Sequence, residues 1–244
     1  MCRHLGYLGP ARSVGAVLTE GSNSLRTQSW APKDMRGGGT INADGFGAAW
    51  WREDTTVDYR NPMPIWSDPA VDGVLAGVES TAVIAAVRSA TVGMPVERGA
   101  CAPFTDGRWA FSHNGVVFGW PGVLVDLASE VPVADLLTLP APTDSAALWI
   151  VLRHLMTQHE PEKALRMLVS RVEATSPGPR LNLLLSDGRS LYATTLYHSL
   201  AVLRTEDSVT LASEPLDDNP GWTAIDDRKF IVAVPGHVDI TDLD

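Results

Sequence analysis

The stretch Met1-Cys2-Arg3-His4-Leu5-Gly6-Tyr7-Leu8-Gly9 decides how the rest of the sequence is interpreted. Cysteine is small enough to permit removal of an initiator methionine, which would leave a thiol and a free α-amine on the same residue. A free cysteine thiol has a pKa of about 8.5 and an α-amine a pKa of about 7.7–8.0. The amine can therefore take the thiol proton and later return it to a leaving group. Taken alone, Cys2 is more simply the second residue of an ordinary chain start.

Length and composition favour one globular domain over residues 2–244. Hydrophobic residues make up 45% and charged residues 20% of the 244 positions, which is usual for a chain that buries a substantial core. The net charge is −10, without a Lys/Arg cluster, and this disfavours nucleic acid and anionic membranes as partners. No apolar run reaches the ~20 residues that span a bilayer, so we expect a cytoplasmic protein.

The cysteines indicate neither a disulfide framework nor a metal site. Cys2 and Cys101 are the two cysteines of the sequence, and a reducing compartment would keep both as thiols. His159-Glu160 is followed by Lys163 where a zinc-binding helix would need its second histidine. We therefore expect no metal and no cofactor, and we interpret Cys101 as a small hydrophobic residue near a loop.

Hydrophobic periodicity predicts strands, then helices, then strands. A strand from Arg3 to Leu8 is expected to end at the turn signal Gly9-Pro10, before a short helix over residues 13–19 and a mobile loop over residues 21–40. Asp144 is expected to cap a helix over residues 145–158, and Pro161 to begin another. Other predicted strands cover residues 48–51, 57–60, 81–87, 109–115, 181–185, 191–195, 200–204, 209–212 and 230–234, with a tail after His237 that frays. This order predicts an α+β fold, with two packed sheets and helices outside.

Three further features of the sequence combine with Cys2 to indicate one kind of chemistry. Acyl transfer through a thiolate needs hydrogen-bond donors at the oxyanion, which the side chain of Asn114 and the N–H of Gly115 can supply. Recognition of an amino acid needs a guanidinium for the α-carboxylate and a carboxylate for the α-ammonium. Arg88, at the end of a predicted strand, and Asp144 supply these groups. Together the four features describe a γ-glutamyl pocket.

Each of these residues also has a purely structural interpretation. Arg88 could close an ion pair, Asn114-Gly115 could be a hairpin turn, and Asp144 could be an ordinary helix cap. His113 is more simply a packed strand residue than a catalytic base, because the α-amine already fills that role.

The ordered set of motifs resembles the class II glutamine amidotransferases of the N-terminal-nucleophile hydrolase superfamily. The motifs span residues 2–216 in the family's order: Cys2-Arg3-His4, Asn42-Ala43-Asp44-Gly45-Phe46-Gly47, Arg88-Ser89-Ala90-Thr91, Ser112-His113-Asn114-Gly115, Thr143-Asp144-Ser145 and Ser213-Glu214-Pro215-Leu216. The resemblance implies a four-layer αββα sandwich of two mainly antiparallel sheets. It implies that Cys2 is the nucleophile and that Asn114 and Gly115 form the oxyanion hole. It also implies that Arg88 binds the α-carboxylate and Asp144 the α-ammonium, with Thr91 and His113 as further substrate-binding residues. The sequence departs from many relatives, which carry a tryptophan and a histidine around the Ala90-Thr91 pair.

Within that family, the sequence is most similar to the branch that hydrolyses γ-glutamyl-hercynylcysteine sulfoxide in ergothioneine biosynthesis. The similar stretches are the start of the chain, Gln28-Ser29-Trp30-Ala31-Pro32 and Ser213-Glu214-Pro215-Leu216-Asp217-Asp218. Almost every residue is committed to this one domain, which leaves nothing to form an acceptor site for ammonia. We therefore expect an amidohydrolase with a small-molecule γ-glutamyl substrate. The alternatives are a glutaminase subunit that passes ammonia to a separate synthase, and a non-catalytic γ-glutamyl-binding module. Trp30 and Trp66 are candidate contacts for the trimethylammonium group of the leaving amine.

Overall fold

The computed structural model describes residues 2–36, 38 and 41–243. Within these residues, thirteen strands form two antiparallel sheets. Sheet A has the order β11-β9-β10-β1-β4-β2-β3, and sheet B the order β13-β12-β8-β7-β6-β5. The strands are β1 (Arg3–Ser13), β2 (Phe46–Arg52), β3 (Thr55–Asn61), β4 (Glu79–Val87), β5 (Phe104–Thr105), β6 (Ala110–Val116), β7 (Arg180–Ser186), β8 (Leu191–Thr195), β9 (Leu200–Arg204), β10 (Val209–Ala212), β11 (Thr223–Ile225), β12 (Lys229–Val234) and β13 (His237–Asp242).

Helices cover the outer face of each sheet. The helices are α1 (Val14–Thr19), α2 (Leu25–Gln28), α3 (Ala70–Gly73), α4 (Val125–Ser129), α5 (Val133–Leu136), α6 (Asp144–Met156) and α7 (Pro161–Thr175). One apolar cluster joins sheet A to α1–α3, a second joins sheet B to α6 and α7, and a third lies between the sheets. The predicted four-layer αββα sandwich is confirmed. No described helix has the length and apolar content needed to cross a bilayer.

Strand β1 lies at the centre of sheet A, between β4 and β10. Leu5 and Tyr7 face the helices, whereas Leu8 belongs to the cluster between the sheets. Side chains alternate along a strand, so Cys2, His4 and Gly6 belong to the face that meets sheet B. The sheets approach closely here, because a Cβ on Gly6 would lie 2.9 Å from Cδ2 of Leu191.

The predicted end of β1 at Gly9-Pro10 is wrong. The strand continues to Ser13, and its pairing with β4 shifts register between Leu8 and Arg12. A local irregularity of this kind lets a strand bend without ending, which accommodates the residues that resembled a turn.

The predicted cap of α6 is also wrong by one residue. Thr143 is the N-cap, its hydroxyl accepts the N–H of Ala146, and Asp144 is the first helical residue. This frees the Asp144 carboxylate for other partners. The prediction that Pro161 begins α7 is confirmed.

Two predictions of irregular chain need correction. The tail after His237 forms β13, which pairs with β12 along its whole length. The predicted loop over residues 21–40 contains α2, where Ser24 caps the helix by accepting the N–H of Thr27. Residues 37, 39 and 40 of that loop lie outside the described residues.

Candidate active site

The start of β1 lies at one end of the sandwich, where the strands of sheet A begin and end. Because β1 is antiparallel to β4 and β10, its first residue meets the last residues of both neighbours. Arg3 pairs with Val87, and the N–H of Ser213 donates to the His4 carbonyl at 2.9 Å. The half-buried Cys2 places its Sγ 3.9 Å from the carbonyl oxygen of Ser89. The candidate nucleophile therefore lies beside the stretch that carries Arg88.

Asn114 reaches the same end from sheet B. Its Nδ2 lies 3.4 Å from the hydroxyl of Ser213, and that hydroxyl accepts the His4 N–H at 3.0 Å. The neighbouring Ser112 lies 3.3 Å from Nδ1 of His4. A single hydroxyl group thus links Asn114 to the strand that follows Cys2.

The Asn114 amide is incompletely paired. The residue is fully buried, yet its Oδ1 has no hydrogen-bond partner among the described residues. A buried polar atom without a partner is uncommon and costs stability. The two ends of an amide have the same shape, so the end turned away from Ser213 can equally carry the N–H donors. A ligand that contacts this amide would complete its hydrogen bonding.

Gly115 is required by its surroundings. A Cβ at this position would lie 1.8 Å from the carbonyl oxygen of Arg180, on the neighbouring strand β7. A side chain cannot be accommodated at this distance, so only glycine fits at position 115. The backbone of residue 115 is therefore not covered by a side chain of that residue.

Asp144 joins the end of β6 to the start of α6. Its Oδ2 accepts the N–H of Val117 at 2.9 Å, and its Oδ1 accepts the N–H of Ser145 at 2.8 Å. The positive end of the helix dipole also favours a carboxylate at this position. The first of these bonds holds Asp144 against Val117, which follows the Asn114-Gly115 pair by two residues. Asp144 exposes 8% of its surface.

His113 is held by protein partners on both ring nitrogens. Nδ1 lies 2.9 Å from the hydroxyl of Ser145, and Nε2 lies 2.8 Å from the Arg180 carbonyl. The ring faces α6, on the opposite side of β6 from Asn114. Its predicted substrate contact stays a prediction.

Arg88 extends from the end of β4 with its charge available. Its Nη1 donates to the carbonyls of Pro95 at 2.9 Å and Asp44 at 3.4 Å. Among the described residues, none of the ion pairs includes Arg88, so the structural alternative of an ion pair finds no support. Asp44 instead accepts the N–H of Ala90 at 2.7 Å, which fixes the connection after Arg88. Thr91 is exposed on that connection, and its substrate contact also stays a prediction.

A buried ion pair holds the chain start in place. Arg3 Nε lies 3.1 Å from Oε1 of Glu214, with both side chains almost fully buried. Arg3 also donates to the carbonyls of Cys2 and Asp34, and Glu214 accepts the N–H of Lys33 at 2.9 Å. Removal of one partner of such a pair leaves an uncompensated buried charge, at a cost of about 3–5 kcal/mol. The network therefore anchors the backbone at Cys2.

Two buried histidines near Cys2 were missed by the sequence analysis. Burial lowers the pKa of His4 to about 3, with the charges of His113, His198 and Arg3 adding to the effect. Burial lowers the pKa of His198 to about 3 as well, followed by the charges of Arg180, Arg3, His113 and the chain terminus. Both rings are neutral at physiological pH. His4 Nε2 and His198 Nδ1 lack partners among the described residues. The alternation of His4 with Cys2 along β1 was the one available signal.

Cys101 does not have the properties of a second nucleophile. It is fully buried, and burial raises the pKa of its thiol to about 11, which keeps it protonated. Its Sγ lies 3.4 Å from the Glu97 carbonyl. Within the described part of the chain, no group of three or more histidine, cysteine or acidic residues could hold a metal ion.

The fold and the residues gathered at the start of β1 are those expected of a glutamine amidotransferase domain, and comparison with known proteins agrees. Residues 19–208 match the family of class II glutamine amidotransferases, and the chain belongs to that family. The chain is 38% identical, over 246 residues, to the gamma-glutamyl-hercynylcysteine sulfoxide hydrolase of Mycobacterium tuberculosis, covering 100% of this chain and 97% of that protein. It is 38% identical over 244 residues to the protein of the same name from Mycolicibacterium smegmatis, covering 100% of both.

A solved structure supports the fold. The glutamine phosphoribosylpyrophosphate amidotransferase from B. subtilis superimposes with a TM-score of 0.68 at 13% identity, covering 99% of this chain and 49% of that one. The family and the fold predicted from the motifs are therefore confirmed.

Proposed function

We propose that this protein is an amidohydrolase that cleaves the γ-glutamyl amide of γ-glutamyl-hercynylcysteine sulfoxide and releases glutamate. The observation that carries this proposal is the 38% identity, over the whole chain, to two hydrolases named for that substrate. The half-buried Cys2 at the end of the sandwich supports it, because a thiol there is accessible to a small molecule. We assign residues 2–244 to one catalytic domain, since the first strand pairs with β10 and both sheets draw strands from the two halves of the chain.

The proposed reaction begins after removal of Met1. The α-amine of Cys2 takes the thiol proton, and the thiolate attacks the γ-carbonyl carbon of the glutamyl group. A C–S bond forms, and the carbonyl oxygen becomes an oxyanion. Asn114 and the N–H of Gly115 stabilise that oxyanion. The unpartnered end of the buried Asn114 amide supports this role, because an oxyanion would give the amide the partner it lacks.

The second half of the reaction returns the proton. The C–N bond breaks, and the leaving amine takes a proton from the ammonium of Cys2, which leaves a γ-glutamyl thioester on the sulfur. The α-amine then accepts a proton from water as the water oxygen attacks the thioester carbonyl. Glutamate departs, and the thiol is regenerated.

Recognition of the glutamyl group is assigned to charged residues of opposite sign. Arg88 binds the α-carboxylate, and Asp144 binds the α-ammonium, with Thr91 and His113 in supporting contacts. Two observations favour this assignment. The guanidinium of Arg88 donates to carbonyl oxygens and forms none of the ion pairs among the described residues, and two backbone N–H groups donate to the carboxylate of Asp144 and fix its position.

The test compares glutamate release from three substrates by protein whose intact mass shows loss of Met1. We expect the highest kcat/KM for γ-glutamyl-hercynylcysteine sulfoxide, and lower values for γ-glutamylcysteine and glutamine. Cys2→Ala should fold and lose at least about 10⁴-fold in turnover, as loss of a nucleophile does. Cys101→Ala is the matched control, because its buried thiol is protonated, and it should retain turnover.

Undiminished turnover by Cys2→Ala would end the proposal. Preferential hydrolysis of glutamine, rising sharply when a synthase subunit is added, would favour the glutaminase alternative. A protein that retains Met1 and binds γ-glutamyl compounds without turning them over would be the non-catalytic module.

A further inference from the structure

A large cavity opens at the same end of the sheet A strands as Cys2. Its volume is about 710 Å³, within the range of ~300–1,000 Å³ typical of small-molecule sites. The wall consists of residues 33–36, the start of β9, residues 213–219 and the turn that leads into β11. None of the roles assigned above uses this cavity.

The cavity wall contacts the two residues that follow the nucleophile, Arg3 and His4. Cys2 is not in its wall, but Ser213 and Glu214 are. Ser213 accepts the N–H of His4, and Glu214 pairs with Arg3, which donates to the Cys2 carbonyl at 3.1 Å. Strands in a sheet are ~4.8 Å apart, and β9 is two strands from β1. A substrate whose carbonyl carbon reaches Cys2 can therefore place a long leaving group in this cavity.

One part of the wall has the chemistry that binds an organic cation. Trp222 contributes an indole, and its Nε1 donates to Oδ1 of Asp217 at 2.8 Å. A carboxylate acceptor on the indole N–H increases electron density on the ring, which strengthens its attraction for a cation. Asp218 adds a second carboxylate to the same wall. The turn is braced by the N–H of Asn219, which donates to Asp217 at 3.0 Å.

Other parts of the wall suit the rest of an amino-acid ligand. Lys33 supplies positive charge, and Met35 and Leu200 supply apolar surface. Arg36 pairs with Asp34 of the same wall at 2.7 Å. Asn23, with 1% of its surface exposed, also lines the cavity, and its Oδ1 has no partner among the described residues. A ligand with both charges and an N–H donor would satisfy this wall.

We propose that this cavity binds the leaving-amine portion of the substrate, with Trp222 and Asp217 holding its trimethylammonium group. The inference rests on the proposed function, whose substrate carries that quaternary cation. It replaces the assignment of the cation to Trp30 and Trp66. Those two rings pack edge to face, with centroids 5.6 Å apart, and neither lines the cavity.

The test measures selectivity between two substrates that share the glutamyl group. γ-Glutamyl-hercynylcysteine sulfoxide carries the cation, and γ-glutamylcysteine does not. We expect Trp222→Ala to lower the ratio of their kcat/KM values about tenfold, within the range of cation–π contacts. Trp222→Phe, which keeps an aromatic face and loses the bond to Asp217, should lower the ratio by about threefold or less. An equal loss for both variants would indicate a structural role of the indole N–H and would overturn the proposal.

Trp66→Ala provides the comparison between the two tryptophan sites. A ratio that falls with Trp66→Ala and stays constant with Trp222→Ala overturns the proposal and restores the Trp30–Trp66 site. Calorimetric titration of Cys2→Ala protein with hercynine, and with histidine as the control whose α-ammonium carries no methyl groups, tests the cavity without turnover. We expect hercynine to bind more tightly than histidine, and the added Trp222→Ala change to remove that difference.

The titration also separates the two proposals. Hercynine binding through Trp222, together with the absence of glutamate release from either compound by protein that retains Cys2, overturns the proposed function and supports the cavity site. If the cationic substrate is turned over but the ratio of the two kcat/KM values does not change in Trp222→Ala, the cavity site is overturned and the proposed function is supported.

Discussion

The space between the two sheets is polar at one end and apolar at the other, although the same strands line both ends. On β1 the inward residue changes from His4 to Leu8, and on β6 from Asn114 to Ala110. The apolar end is packed side chain to side chain. At the polar end, buried atoms such as His4 Nε2 and Asn114 Oδ1 lack partners among the described residues. This contrast supports the proposed function, in which one end stabilises the sandwich and the other end binds the substrate.

The same contrast is seen in the hydrogen bonding of two paired asparagine side chains. Asn114 and Asn182 lie directly opposite each other on β6 and β7, and both are fully buried. Asn182 donates to the His198 carbonyl at 2.8 Å and accepts the N–H groups of Leu196 and His198 at 3.1 and 3.0 Å. Among the described residues, the side chain of Asn114 makes one hydrogen bond, of 3.4 Å. Neighbouring amides of equal burial thus differ in whether the protein itself satisfies them.

The largest expected effect is a loss of activity on substitution of Asn114, the asparagine whose side chain is incompletely paired. Asn114→Ala should lower kcat by about 10²- to 10³-fold, as removal of an oxyanion donor does. Its free energy of unfolding should change by about 1 kcal/mol or less, because one long hydrogen bond is lost together with an unpaired oxygen. Steady-state kinetics and urea unfolding measure the two quantities.

Asn182→Ala is the matched control for that variant. It should destabilise the protein by about 2–3 kcal/mol, because it leaves buried backbone groups without partners. If Asn114→Ala proved the more destabilising of the two and retained kcat, the polar end would be structural.

The next effect concerns the apolar end. Leu184 is fully buried between the sheets, and Leu184→Ala should reduce the free energy of unfolding by about 3 kcal/mol. The folded variant should keep kcat/KM within about threefold, since the lost contacts lie away from Cys2. Urea unfolding and steady-state kinetics measure the two quantities. A folded but inactive variant would show that the two ends are not separable.

The smallest effect is the pH dependence of stability at the polar end. The pKa values of His4 and His198 are lowered to about 3 in the folded protein, whereas unfolded histidine titrates near ~6.5. Below pH ~6.5 the unfolded chain therefore binds more protons, and the free energy of unfolding falls as the pH falls. We expect a loss of up to about 2 kcal/mol per histidine between pH ~6.5 and ~5.

Urea unfolding at several values in that pH range measures this loss. His198→Gln should reduce the slope, because it removes one of the two buried imidazoles. A stability that is constant over the range would contradict the neutral state assigned to these rings.

Much of the architecture could be predicted from local patterns. The near-continuous apolar run in β4 and the helical spacing of leucines in α6 are properties of neighbouring residues, and both elements form where expected. The errors arose where tertiary pairing overrides local preference. β13 forms because every residue of β12 is available to pair with it. β1 continues beyond Gly9-Pro10 because β4 pairs with it as far as Ser13.

The candidate site divides in the same way. The motifs around Cys2, Arg88, Asn114 and Asp144 were visible because each residue type suits a step of γ-glutamyl chemistry. The roles of Ser213 and His4 were not visible, since a hydroxyl or an imidazole acquires a role here only from contacts across the two sheets. The cavity beside Trp222 was invisible for the same reason.

By itself, the sequence determined the layers of the sandwich, the family and the reactive groups, because these depend on residue type, order and short-range spacing. Tertiary structure alone decided that residues 2, 88, 114 and 213 meet at one end, since that meeting depends on antiparallel pairing between strands distant in the chain. It also decided which buried amide is satisfied and which is left open, because a hydrogen bond requires a distance and a direction that no residue pattern specifies.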